Sequence, residues 1–465
     1  MAAPRLAAGS EIDGFTVGTL LHRGGMAGLW SVTHPDHPGP LLMKVPLLFE
    51  GEDPAAIVSF EMEQMILPRL SGQHVPRFIA SGDFAVQPYL VMERIPGSSL
   101  LPKLQELPRP FEEVAHLGAA IATALADLHR QHVVHLDVKP SNILFRENGE
   151  AVLVDFGLSR HEQLPDLMEE EFRLPYGTAP YMAPEQVMGI RSEPRSDLFA
   201  LGALLYFFTT GTRPFGDPQR MSGLKRRLWQ DPAPPRALRP DCPPWLQEII
   251  LRCLEVDPER RHPTAAQLAF DLLNPESVTL TVRAGKLKRD GWAQTARRRF
   301  NPEAQVAFRR RGISQQLESA PIIAVAVDLD PRSQALNEAL LESVRRLLPT
   351  MPGARLAFLN VLKQNRLAID SDLDEQGRNK HLQRLVELRA FGAPLGLPDH
   401  RLTCHVLEAV NPASALLEFI RQNPVDHVVI GARADALRRR LLGSVSSAVA
   451  GEAPCSVTII RPRIA

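Results

Sequence analysis

The chain is 465 residues long, with 53 basic and 53 acidic side chains, 44% hydrophobic and 23% charged residues. The balanced charge excludes a whole-molecule field that would draw it onto nucleic acid or an anionic membrane. The length argues for two or three domains of ordinary globular composition.

Residues Met1 to Ser10 hold no apolar run of signal-peptide length. The most apolar stretch, Leu198 to Phe208, is too short to span a bilayer. The four cysteines, Cys242, Cys253, Cys404 and Cys455, lie far apart, and no pair has metal-ligand spacing. These features lead us to expect a soluble cytoplasmic protein with reduced thiols.

Along the chain, strand-like segments come first: Phe15 to Leu21, Leu41 to Val45 and Tyr89 to Glu93. Helical spacing of Val114, Leu117, Ile121, Leu125 and Leu128 follows. Strands before helices predict a two-lobed α+β unit over 13–274. A basic connector, 275–319, comes next. From Arg283 to Arg311 it holds ten Lys or Arg residues against Asp290 and Glu303. It reads as a solvated linker, with a docking surface for an acidic partner, nucleic acid or the other domain as the alternative. From 320 to 465, apolar strands at Ile322 to Val327, Leu356 to Val361, Leu402 to Leu407, Val425 to Ile430 and Val457 to Ile460 alternate with helices at Gln334 to Leu348 and Ala413 to Gln422. That alternation predicts a doubly wound α/β domain with a parallel sheet.

The chemistry is concentrated in His135-Leu136-Asp137-Val138-Lys139-Pro140-Ser141-Asn142 and, eighteen residues beyond Asp137, Asp155-Phe156-Gly157. Two carboxylates and an amide supply oxygen ligands for a hard cation, and an ammonium beside them suits phosphate charge. The pair of motifs resembles the catalytic and metal-binding loops of eukaryotic-type (Hanks-type) bacterial serine/threonine protein kinases. The resemblance implies that Asp137 orients the substrate hydroxyl and takes its proton, and that Lys139 neutralises the γ-phosphate. Asn142 and Asp155 would hold Mg²⁺ or Mn²⁺.

The same resemblance covers about 260 residues with its landmarks in order. Leu21 to Leu29 is similar to the glycine-rich hairpin over ATP, keeping Gly24 and Gly25 but placing His22 and Ala27 where glycines are usual. Lys44 matches the strand lysine that contacts the phosphates. Glu63 matches its helix partner, with Glu61 the rival. Met92 stands as gatekeeper, and the Glu93 to Ile95 backbone reads adenine. Thr178 belongs to the substrate-side loop closed by Ala183-Pro184-Glu185, and Arg261 matches the arginine paired with Glu185. Lys139 and Thr178 imply Ser/Thr rather than Tyr specificity, and therefore protein substrates.

The chain departs from the pattern at Leu136, where an arginine that reads a loop phosphate is usual. The loop from Leu158 to Pro175 carries one hydroxyl, Ser159, and the acids Glu169-Glu170-Glu171. Control by activation-loop phosphorylation is therefore not expected. The alternative function is a pseudokinase or nucleotide-sensing adaptor, which His22 and Ala27 favour and which the retained Lys44, Asp137, Asn142 and Asp155 oppose.

In the last domain, Gly431-Ala432-Arg433-Ala434 and Gly443-Ser444 follow an apolar strand and lead into a helix. This resembles the nucleotide motif of universal stress proteins, with Ala434 in place of a glycine and a spacer one residue short. The resemblance implies a second ATP or AMP site at Asp328, Val361, Gly431, Ala434, Gly443 and Ser444. It also implies dimer pairing through the final strand. Turn chemistry alone would equally account for the two glycines.

Overall fold

The computed structural model describes residues 6–24, 26–47, 54–172, 175–300, 321–351, 353–364, 379–398, 401–423, 425–432 and 443–462. The first lobe is a six-stranded antiparallel sheet in the order β1-β2-β3-β4-β6-β5. Its strands are β1 (Glu11–Ile12), β2 (Phe15–Arg23), β3 (Ala27–His34), β4 (His37–Pro46), β5 (Phe78–Ser81) and β6 (Leu90–Glu93). One face closes over Phe15, Val17, Val32, Leu41, Met43 and Val91. The strand period of two turns Leu42 and Lys44 to the other face. There Leu42 stands opposite Met92, and Lys44 opposite Leu29 and Leu90. Helix α1 (Pro54–Ile66) covers that face.

The second lobe is built on α2 (Phe111–Arg130). Its buried Val114, Ile121, Leu125 and Leu128 lie on one side because they repeat at helical spacing. A second long helix, Arg195–Thr210, is buried along most of its length and ends at Gly211, whose φ of 72° completes a left-handed cap. Two antiparallel pairs, β7 (Val133–Val134) with β10 (Arg160–His161) and β8 (Ile143–Phe145) with β9 (Ala151–Leu153), carry the loops between them. Gly97 lets the chain leaving β6 pass against β8, since a Cβ there would lie 1.4 Å from the Phe145 carbonyl oxygen.

Most side chains in the described part of the connector are exposed, Val282 and Trp292 at 90% and 86%, but three of its basic residues are paired. Arg283 pairs with Glu248 and Glu255, and Lys286 and Arg298 both meet Asp231 and Asp290. Gln247 donates to the carbonyls of Arg283, Ala284 and Lys286. Part of the basic charge of this stretch is thus matched, by Asp231, Glu248 and Glu255 of the second lobe and by its own Asp290. A short helix, Trp292–Arg299, closes it.

The last domain is a five-stranded parallel sheet in the order β13-β12-β11-β14-β15, with β11 (Ile322–Ala326), β12 (Arg355–Lys363), β13 (Leu402–Ala409), β14 (Val425–Gly431) and β15 (Ser456–Ile460). The order reverses between β11 and β14, which makes their carboxyl ends the switch point of a doubly wound sheet. Helices Gln334–Leu347, Lys380–Gly392, Pro412–Gln422 and Ser444–Glu452 cover the faces. The Lys380–Gly392 helix is absent from the sequence reading. β12 also runs two residues past Val361, which therefore lies inside the strand rather than at its end. Among the described residues, no helix is long and apolar enough to cross a membrane.

Candidate active site

The site lies between the two lobes. Lys44 Nζ is 2.5 Å from Glu63 Oε2 and 2.8 Å from Asp155 Oδ1. Glu61, the rival, points away from Lys44 and pairs with Arg389. Two residues apart on a helix is about 200° of rotation, so only one of the two acids can face the sheet. The Phe156 amide donates to Glu63 Oε1 at 3.3 Å, which ties the loop to α1. Burial works against the Lys44 charge, but Asp155 and Glu63 outweigh it and hold its pKa above the ordinary value. The Lys44 ammonium in turn pulls the Asp155 carboxyl down to about 2, against the opposing effect of burial. Burial raises the Glu63 carboxyl, with Lys44 acting against it. All three groups are thus fixed before any phosphate arrives.

The catalytic-loop backbone hangs on one buried carboxylate. Asp197 accepts from the amides of His135 at 2.9 Å and Leu136 at 2.8 Å, and from His129 Nε2 at 2.9 Å. Leu136 and Asp155 both adopt left-handed backbone, with φ of 63° and 69°. For side-chain-bearing residues this costs about 1–3 kcal/mol each and persists only where the surroundings impose it. Here Asp197 and Lys44 supply that constraint.

Asp137 is nearly buried and gathers its neighbours. Lys139 Nζ donates to Oδ2 at 2.6 Å, and the Thr178 hydroxyl and amide donate to Oδ1 at 2.7 and 3.0 Å. Asn142 Nδ2 donates to the Asp137 carbonyl and carboxylate at 3.1 and 3.2 Å. That orientation leaves Asn142 Oδ1, which accepts from Ser141 Oγ at 3.1 Å, with a second lone pair for a cation. Asp155 is the more open acid, with 43% of its side chain exposed. Two oxygen donors of this kind fit a hard divalent cation that takes its remaining ligands from phosphates and water.

On the nucleotide side, Gly24 N–H donates to the Ala27 carbonyl at 3.0 Å and closes the hairpin. Leu21 is an extra residue in β2, between Leu20 opposite Trp30 and His22 opposite Leu29. Gly25 lies outside the described residues. The Arg94 amide donates to the Pro40 carbonyl at 2.9 Å, and the Glu93 amide to Arg77 at 2.8 Å. Alternation then turns the Ile95 amide away from β4. Sequence reasoning assigned Glu93 a backbone part only. Its carboxylate also takes a bidentate bond from Arg146 at 2.6 and 3.1 Å, which holds it below the usual range.

At the switch point of the second domain, Asp328 accepts from Ser333 Oγ at 3.1 Å and the Asp330 amide at 3.2 Å. Gly431 has a packing reason: a Cβ there would meet Leu336 at 2.6 Å. Gly443 has no such crowding and precedes the Ser444–Glu452 helix. Ala434 lies outside the described residues.

Residues 48–271 match the family model described as the protein kinase domain, and residues 321–461 match the universal stress protein family. The chain joins a protein kinase domain to a universal stress protein domain. The kinase match begins past Gly24 and Lys44, so those positions stand on geometry. The chain is 32% identical to the serine/threonine-protein kinase PknL of Mycobacterium tuberculosis, over 50% of this chain and 58% of that protein. It is 27% identical to a probable serine/threonine-protein kinase of Streptomyces coelicolor, over 60% of this chain and 42% of that one. The chain spans about half the length of the curated relatives it matches. The kinase domain of Mycobacterium tuberculosis PknI, a solved structure, aligns over 59% of this chain and 100% of its own, at 25% identity and a TM-score of 0.46.

Proposed function

We propose that the chain is a serine/threonine protein kinase, transferring the γ-phosphoryl group of ATP to protein Ser or Thr hydroxyls. The observation that carries this reading is the convergence on Asp137 of Lys139, Asn142 and Thr178, across the cleft from the Lys44–Glu63–Asp155 triad. Asp137 is placed to orient a hydroxyl and receive its proton. Lys44 and Lys139 hold phosphate oxygens, and Thr178 fixes the edge where the acceptor side chain lies. Asn142 and Asp155 would hold Mg²⁺ or Mn²⁺, whose role is to neutralise the triphosphate. The Leu21, Leu29, Met92 and Ile95 side chains would enclose the adenine, with the Glu93 to Ile95 backbone hydrogen-bonding it. The working partition is a catalytic unit over 13–274, a basic connector over 275–319 and a stress-type unit over 320–465, in the cytoplasm.

Loop phosphorylation has no part in this proposal. Ser159 is buried and donates to the His135 carbonyl at 3.0 Å, so its hydroxyl is already committed. Leu136 is buried and uncharged. The full chain incubated with radiolabelled ATP and Mg²⁺ or Mn²⁺ is expected to label Ser or Thr on a protein acceptor. Phosphatase pretreatment is expected to change the rate by less than about twofold, well under the usual scale of a regulatory coupling. Absence of transfer with either metal favours the adaptor reading, and strong dependence on a loop phosphate refutes the unswitched one.

A second nucleotide at Asp328, Val361, Gly431, Gly443 and Ser444 is part of the proposal, supported by the place of Asp328 and Gly431 after β11 and at the end of β14, the sheet's switch point. So is pairing of two copies through β15, which forms one edge of its sheet. Equilibrium dialysis of labelled ATP against the Lys44→Ala chain isolates that site, with one bound equivalent expected and none refuting it.

A further inference from the structure

The acids of the activation segment find their partners in the other domain. Helix α3 (Leu167–Glu171) lies in that segment, capped by Asp166, which accepts from the Glu169 amide. Leu167 and Met168 are buried, and α3 packs between α1 and the Pro412–Gln422 helix. Glu170 pairs with Arg355 on β12 at 2.6 Å and with His405 Nε2 on β13 at 3.2 Å. Glu171 meets His405 Nδ1 at 2.8 Å. Asn423 donates to the Glu170 carbonyl at 3.3 Å, and Thr403 Oγ1 lies 2.9 Å from His405 Nε2. On α1, Glu61 pairs with Arg389 of the Lys380–Gly392 helix, whose guanidinium also stacks over Phe84 at 4.7 Å.

We propose that Arg355, His405 and Arg389 of the stress-type domain are positioning residues for phosphoryl transfer, holding α3 and α1 where Lys44 meets Glu63 and Thr178 meets Asp137. This rests on the kinase reading above. Adjacent carboxylates at low exposure repel unless paired. The nearby arginines of the kinase domain, Arg160 and Arg191, are engaged with Asp166, and Leu136 carries no charge. Burial alone would lower the His405 imidazole, but Glu170 and Glu171 outweigh it and raise its pKa to about 9. The ring is therefore charged at neutral pH and donates from both nitrogens. Burial opposes ionisation of Glu170 too, but Arg355 and His405 hold it at about 2. Helix α1 is held from two sides, by Lys44 at Glu63 and by Arg389 at Glu61. Swinging the helix outward breaks both pairs, so docking favours the state in which the catalytic lysine is engaged.

The test uses the full chain and follows peptide phosphorylation and amide hydrogen exchange together. Arg355→Ala and Arg389→Glu are expected to lower kcat by about 10- to 100-fold. The KM for ATP is expected to stay within about threefold, since neither residue touches nucleotide. The reversed pair Glu61→Arg/Arg389→Glu is expected to recover kcat to within about threefold of the parent, a rescue that lost packing alone would not give. Amides 167–172 should exchange faster in Arg355→Ala while those of β11 and β12 stay protected, which separates undocking from unfolding. Unchanged kcat in both single variants, or failure of the reversed pair to recover it, overturns the proposal. If the parent chain transfers no phosphate, the kinase reading and the catalytic role fall together. Exchange at 167–172 then decides docking on its own, and unchanged exchange in Arg355→Ala overturns that as well.

Discussion

Asp137→Asn is expected to slow phosphoryl transfer by about 10²- to 10⁴-fold, the usual worth of a positioned general base. Asparagine keeps the volume and one acceptor oxygen, so Thr178 retains a partner. Its amide nitrogen, however, would face the Lys139 ammonium across the present 2.6 Å contact, donor against donor. Lys139 is then displaced, and no group remains to take the hydroxyl proton. ATP affinity should hold, because Lys44, Glu63 and Asp155 form a separate cluster. Single-turnover transfer from radiolabelled ATP, with nucleotide binding measured alongside, gives both numbers. A transfer rate within about tenfold of the parent would remove Asp137 from the chemistry. If a cellular phenotype survives Asp137→Asn although transfer is lost, the protein acts as an adaptor.

The parts of this site that were legible in the sequence are those that chemistry forces into short stretches. Asp137, Lys139 and Asn142 lie within one loop because a single turn must present them together. Asp155 follows after one hairpin, β8 and β9. The choice between Glu61 and Glu63 was less legible, since both lie on α1 and only the helix rotation separates them. The parallel sheet could be read from apolar runs buried on both faces. The Lys380–Gly392 helix left a readable signal that went unused: Asn379 capping the Leu382 amide, then Leu382, Leu385 and Val386 at helical spacing. The basic connector was legible only in part. Its charge suggested solvation, and most of its described side chains are exposed, but Arg283, Lys286 and Arg298 pair with Asp231, Glu248 and Glu255 of the second lobe, far off in sequence. Least legible were Arg355 and His405, which are 185 and 234 positions from their glutamates. No local pattern marks an arginine on an apolar strand as the partner of a distant acid.

Stability rather than rate is the expected casualty at Arg261. Its guanidinium is fully buried and meets Glu185 through two bonds of 2.6 and 2.8 Å. It also donates to the carbonyls of Arg195, Val256 and Glu255, and lies 5.0 Å over the Phe199 ring. This one side chain joins the end of the activation segment to the Arg195–Thr210 helix and to the loop after the Pro244–Cys253 helix. Arg261→Ala leaves the Glu185 carboxylate at 1% exposure with, among the described residues, only the Ser196 hydroxyl, 2.7 Å away, as a side-chain donor. Breaking a buried pair in this way costs about 3–5 kcal/mol, most of it from the charge left behind. That is a large part of the roughly 5–15 kcal/mol by which a domain is stable. Removing both charges should therefore cost less than removing one, so Glu185→Leu/Arg261→Leu is expected to be the more stable variant in denaturant titration. If the double variant unfolds earlier than Arg261→Ala, the unpaired Glu185 charge is not the source of the loss.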